Sequence, residues 1–181
     1  MAWSSPETVA EPANEPVSLS EAKEFLSIGA DEDGFDTLLT GLITSGRERV
    51  EEELGIRLVS QSILLRCDDW SDLEQLPIGP VSEIEHLKFE DAAGSQSTVD
   101  AAQYELTGAK LDRGVRPTVG SAWPRSLRQE DGAIEVRLTV GYETLPKPLW
   151  TAVLQIVAAL FEHREGDRAP NLAHLSNYRV Y

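Results

Sequence analysis

Among 181 residues there is one cysteine, Cys67, and only 16 lysines and arginines face 31 aspartates and glutamates. A lone thiol closes no internal disulfide and builds no cysteine-based zinc site by itself. The shortage of cations leaves a formal net charge of −15 at pH 7. Nucleic-acid binders draw most of their affinity from Lys and Arg neutralising phosphates, so general DNA binding is disfavoured. No run approaches the roughly 18 uninterrupted apolar residues of a membrane-spanning helix. Met1 to Pro16 has neither the basic cluster nor the apolar stretch of a secretion signal, so synthesis and retention in cytoplasm, without a membrane partner, are expected. Also missing are G-x-S-x-G, H-E-x-x-H, a phosphate loop and G-x-G-x-x-G, so no catalytic residue and no cofactor is expected. What is present, 41% hydrophobic and 26% charged residues, is ordinary globular composition with enough apolar side chain for a core.

Residues 1–17 hold Pro6, Pro12 and Pro16 among Glu7, Glu11 and Glu15, which predicts a flexible arm. Order is expected from Ser18, where Ser18-Leu19-Ser20-Glu21 has capping-box spacing and opens a short helix over about 19–27. Phe35, Leu38, Leu39, Leu42, Ile43, Val50 and Leu54 form one stripe and predict a helix over about 35–54. Gly46 lies on the stripe, where a missing side chain admits a neighbouring backbone, and Gly55 ends the helix left-handed. Arg47, Glu48, Glu51 and Glu52 are expected on the solvated face.

The region 60–142 has short alternating runs broken by Gly and Pro, the signature of strands. Candidates are 62–67, a hairpin of 84–90 with 95–99 in which Ile84 is out of phase and marks a bulge or late start, 104–106, and 134–140. In 134–140, Ile134, Val136, Leu138 and Val140 alternate with Glu135, Arg137 and Thr139. Residues 110–128, with Gly114, Pro117, Gly120 and Pro124, predict a loop. A last helix, about 147–164, enters through Pro146 and Pro148 and is apolar on more than one face. These elements predict an α+β fold: a small bundle of three main helices with an antiparallel β region inserted between the second and last long helix.

Lys110, Arg113, Arg116, Arg125 and Arg128 make 110–128 a basic island on an acidic chain, opposed only by Asp112. It reads as a solvated loop or as a docking device for an acidic neighbour, with Trp123 a lid over the sheet or an interface anchor. The tail, 167–181, offers Asn177, Tyr178, Arg179, Val180 and Tyr181, residue types that anchor interfaces. Trp150, Val157 and Phe161 are candidates for subunit packing on the last helix, whose apolar surface otherwise serves the core. A metal site from Glu48, Glu51 and Glu52 with Glu162, His163 and Glu165 is the enzymatic alternative, a small metal-dependent hydrolase; an acidic interaction module is another. The plain reading of those acids is two solvated faces. His86 and His174 read as surface residues and Cys67 as a small buried hydrophobe.

Taken in order, several motifs resemble the head-tail connector (adaptor, head completion) proteins of long-tailed phages and phage-like gene transfer agents. They are Pro16-Val17-Ser18-Leu19-Ser20-Glu21-Ala22-Lys23 with Phe25-Leu26, and Gly46-Arg47-Glu48-Arg49-Val50-Glu51 followed by Gly55. Then come Leu76-Pro77-Ile78-Gly79-Pro80-Val81, Trp123-Pro124, Thr139-Val140-Gly141-Tyr142, Leu145-Pro146-Lys147-Pro148-Leu149 and Phe161-Glu162-His163-Arg164-Glu165. The resemblance covers about 16–166 and implies a single connector domain over 18–166. It further implies a dodecameric ring of copies in the virion or particle neck, beneath the portal, extending the DNA channel and carrying the stopper or tail-side protein, without catalysis. The arm before Pro16 is longer than the family needs, and the tail after Gly166 matches none of its motifs. An acidic ring suits that role, because DNA slides past a wall on which no phosphate finds a persistent partner.

Overall fold

The computed structural model describes residues 3–162 and 170–180. Contacts divide them between a β unit (Met1–Glu11, Ser60–Gly141 and Val180–Tyr181) and a helical unit (Pro12–Val59 and Tyr142–Arg179).

In the helical unit, Ser18 caps α1 (Leu19–Phe25). Its hydroxyl accepts from the Glu21 amide at 3.3 Å, while the Glu21 carboxylate accepts from the Ser18 amide at 2.8 Å. Both donors are among those a helix start leaves unpaired. α1 stops just short of the expected 27, and Ser27 takes a left-handed φ of 58°. α2 (Asp36–Leu54) ends at Gly55 with φ 67°, as the glycine predicts. Leu39, Ile43, Val50 and Leu54 of its stripe are buried, each contributing about 1.5–3 kcal/mol relative to exposure. Gly46 is buried among them, and a Cβ there would lie 3.3 Å from Val157 Cγ2 and 3.4 Å from the Val153 carbonyl oxygen. The bare backbone therefore admits α3 (Lys147–Glu162), which buries Leu149, Ala152, Val153, Leu154, Ile156 and Val157. The final residues of the expected 147–164 helix, His163 and Arg164, fall outside the described residues. No helix among the described residues is long and apolar enough to cross a membrane.

The β unit is built on a five-stranded sheet in the order β1-β2-β7-β3-β4, antiparallel throughout. Its strands are β1 (Glu7–Ala10), β2 (Gln61–Cys67), β3 (Val81–Glu90), β4 (Gln96–Thr98) and β7 (Ile134–Val140). Central β7 is buried at every second residue, Ile134 through Val140, as its alternation requires. The irregularity read at Ile84 is real: register shifts occur between Val81 and Glu83 and between Ile84 and His86. β5 (Tyr104–Ala109) and β6 (Asp112–Pro117) form a separate two-stranded sheet.

Three expectations are corrected. Residues within 1–17 are structured: Trp3 bridges Cys67, Glu7–Ala10 pair with β2, and Val17 is buried. Pro6 and Pro12 bracket the β-branched Thr8-Val9 pair rather than interrupting it, and Pro tolerates the edge of a sheet. Residues 112–117 are strand rather than loop. Gly114 is there because a Cβ would sit 2.0 Å from the Glu74 carbonyl oxygen, a close backbone approach rather than a break. Finally, Arg47 and Glu51 are buried at 5% and 4% exposure, not on a solvated face.

Candidate functional site

The basic island is less free than its composition implies. Arg116 Nε donates to Glu105 across the β5–β6 ladder at 2.8 Å, and Arg128 bonds Glu90 at 2.9 Å and Glu130 at 2.7 Å. Half-buried Arg113 donates to the Gly108 carbonyl at 3.1 Å, and its own carbonyl accepts from the Leu76 amide. Lys110 and Arg125 are exposed and make no ion pair among the described residues. Just before Arg125, Trp123 lies face to face with Trp70, centroids 4.8 Å apart and planes 8° from parallel, while Trp70 meets Phe89 edge-on at 5.5 Å. Trp70 Nε1 donates to the Pro124 carbonyl at 3.0 Å, so each indole has its apolar body covered and the polar end of Trp70 is satisfied. Trp123 therefore packs on the core of its own unit, as the lid reading expects.

The wet face of the five-stranded sheet is a lattice of paired charges. Glu135 accepts from Arg66 at 3.0 Å, with His86 at 3.3 Å and Lys88 at 3.7 Å, and Arg137 bonds Glu85 at 2.7 Å. Burial works against the charged form of Glu135, but bonds from Arg66 and His86 overcome it and hold this carboxyl below the usual range. Beneath that face Cys67 is buried. Burial first, then Asp72, Asp68 and Asp69, push its thiol upward, which makes it an inert packing group.

Of the three α3 residues proposed for subunit packing, Val157 is fully buried against Gly46 and serves its own unit. Trp150 is half-buried with Lys147 Nζ 4.9 Å above its ring, and Phe161 meets Phe35 edge-on at 5.5 Å. In the tail, Leu172 and Leu175 are buried at 1% exposure, and a 3-10 turn, Ala173–Tyr178, leaves Asn177 exposed and Tyr178 half-buried. Burial, then Tyr178, push the Tyr142 hydroxyl up to about 12. Arg179 is exposed; Val180 lies beside Gly79 in the β unit; Tyr181 falls outside the described residues.

Sequence reasoning missed an ion cluster in the helical unit. Arg47 Nε donates to Glu15 at 2.9 Å and its Nη1 to Glu51 at 3.1 Å; Glu15 also accepts from the Thr44 hydroxyl at 2.9 Å. The other Glu51 oxygen accepts from the Leu58 amide at 2.8 Å, and Arg57 approaches at 4.0 Å. Burial lifts the Glu51 pKa despite these partners. The available signal was the position of Arg47 and Glu51, which flank the buried stripe one and five residues after Gly46. This cluster engages the central carboxylate of the supposed metal site. Glu48 and Glu52 line an open groove of about 610 Å³ with Ser45, Arg49, Glu53 and Leu160. Glu162 is exposed, His163 and Glu165 fall outside the described residues, and among the described residues no group of three potential ligands converges.

No family model matches the chain, and no curated protein matches it. Solved structures do. A chain in the neck of an empty gene transfer agent particle, computed with C6 symmetry, superposes with a TM-score of 0.79 at 23% identity, over 98% of this chain and 96% of that one. A chain in the virion of a native gene transfer agent particle gives 0.76 at 24%, over 97% and 95%. One from the neck of the native particle, computed with C12 symmetry, gives 0.72 at 23%, over 98% and 96%. The α+β fold of this chain is therefore one that occurs, over nearly its whole length, in the neck of gene transfer agent particles.

Proposed function

We propose that this chain is a structural adaptor in the neck of a phage or phage-like particle, where copies form a ring between the portal and the stopper or tail and extend the DNA channel. The observation that carries this reading is the likeness over 98% of the chain to a chain of a particle neck. Two features of the chain support it. Its −15 charge suits a conduit wall that DNA passes without adhering. In the alternative metal site, the one deeply buried carboxylate, Glu51, is instead bonded by Arg47 and the Leu58 amide. A dodecameric ring, portal docking through Asn177, Tyr178, Arg179, Val180 and Tyr181, and assembly contacts through Trp150, Phe161, Arg113, Arg116, Arg125 and Arg128 complete the proposal.

Electron microscopy of particles purified from cells carrying a labelled copy tests it. The label is expected in the neck, and heads without the chain are expected not to join tails. A label found elsewhere, or joined particles lacking the chain, would overturn the reading. For the tail, deletion of 172–181 is a poor probe because it strips the buried Leu172 and Leu175. Asn177→Ala leaves those residues in place and is expected to weaken joining to portal-bearing heads while thermal unfolding is unchanged.

A further inference from the structure

Five large apolar side chains stand well exposed among the described residues, and four of them sit in two places. Phe25, Phe35 and Leu38, at 45%, 38% and 39% exposure, lie where α1 ends and α2 begins in the helical unit. Val119, fully exposed, lies in the loop after β6 in the β unit. Apolar surface left in water and rimmed by charge marks a site of association.

The rims carry opposite signs. From 24 to 46 the chain has Glu24, Asp31, Glu32, Asp33 and Asp36 and no Lys or Arg at all. Asp36 bonds Lys23, and the other four are exposed with no ion pair among the described residues. Along the chain Val119 lies three residues after Arg116 and six before Arg125, with no Asp or Glu between them. The Arg116–Glu105 pair is open to water on both sides, at 65% and 43% exposure, so it exchanges readily for another carboxylate.

We infer that these two surfaces are the two halves of one head-to-tail contact, in which the end of β6 and the loop after it, with Arg116, Val119 and Arg125, dock in one copy on the segment of the next where Phe25, Phe35 and Leu38 stand exposed. Neither half complements itself, since an acidic-rimmed patch repels its own copy and so does a basic loop. Unlike surfaces that fit each other generate rings or filaments rather than two-fold pairs. Charge complementarity names the partner: a second copy supplies both the opposite sign and an exposed apolar side chain, whereas DNA at the loop would leave Val119, Phe25, Phe35 and Leu38 wet. The contact rests on the ring reading above and assigns its residues.

Cross-linking tests it without requiring a stable oligomer. Full chains carrying Val119→Cys and Leu38→Cys are mixed and treated with a short bis-maleimide; the native thiol at Cys67 is buried. A covalent dimer is expected from the mixture and not from either variant alone. Adding Arg116→Glu and Arg125→Glu to the Val119→Cys chain is expected to cut the yield at least tenfold. Asp31→Lys, Glu32→Lys and Asp33→Lys on the other chain should restore it, with circular dichroism unaltered throughout. No cross-link, equal cross-linking of single variants, or charge reversal that abolishes binding to a short DNA duplex while leaving the dimer intact would overturn the contact. If the chain still enters necks without this cross-link, the contact fails and the adaptor reading stands; if the cross-link forms but the chain is absent from necks, the reverse holds.

Discussion

At Gly114 the absent side chain decides the packing. A Cβ would fall 2.0 Å from the Glu74 carbonyl oxygen and 2.7 Å from its carbon, both backbone atoms that do not swing aside. Gly114→Ala is therefore expected to destabilise by about 3 kcal/mol or more, read as a lower urea midpoint. Glu51 presents the opposite situation, a charge kept inside by its neighbours. Glu51→Ala leaves Arg47 buried with only Glu15 and Glu48 and is expected to cost about 3 kcal/mol. Because burial already disfavours the Glu51 carboxylate, replacing Arg47 and Glu51 together by Met should cost less than the two single changes added. Chemical denaturation of the four proteins in the cycle measures that difference, and strict additivity would contradict it.

The α2–α3 contact depends on a single missing side chain, which Gly46→Leu would supply. With Val157 and the Val153 carbonyl already in place, that variant is expected to lose about 3 kcal/mol and to melt earlier in calorimetry. This contact was legible beforehand, since Gly46 interrupts an otherwise continuous apolar stripe and glycine in mid-helix has little other reason to be there. The same holds for the Ser18 capping box, the Gly55 stop and β7, where spacing and chemistry act within one element. β1 and β6 were not legible, because each depends on a distant partner. Thr8-Val9 becomes a strand only against β2, and Arg113-Gly114-Val115 only because β5 pairs with it while Glu74 approaches its glycine. The basic island misled for a related reason: net charge counted along the chain ignores Glu90, Glu105 and Glu130, which the fold brings to Arg116 and Arg128. The candidate docking residues were named from composition, but the apolar partners Phe25, Phe35 and Leu38 appear only when exposure is known.

Over the whole molecule, carboxylates set the response to acid. The hydroxyl and amide of Ser18 lower Glu21, and the amide and hydroxyl of Ser71 lower Asp69. Glu85 and Glu135 are also lowered, although burial opposes it, by bonds from Ser62 and Thr139 in the first case and Arg66 and His86 in the second. A group with a lower pKa folded than unfolded stabilises fully above its unfolded value, about pH 4, and that stability is lost as pH falls through the folded value. Glu51 has the opposite sign, its contribution being lost as pH rises through its raised value. Four groups against one predict a urea midpoint that drops between about pH 6 and about pH 3. Glu135→Gln should lower the midpoint at the upper end and flatten its pH dependence; an unchanged slope would remove Glu135 from the account. The parallel indoles of Trp70 and Trp123 also have an optical consequence. At 4.8 Å the stacked rings hold each other in one fixed asymmetric setting, so circular dichroism should carry an indole contribution that vanishes when this pair separates. Since both rings belong to the sheet-bearing unit and the helical bands come mostly from the other, one spectrum recorded during unfolding reports separately on the two.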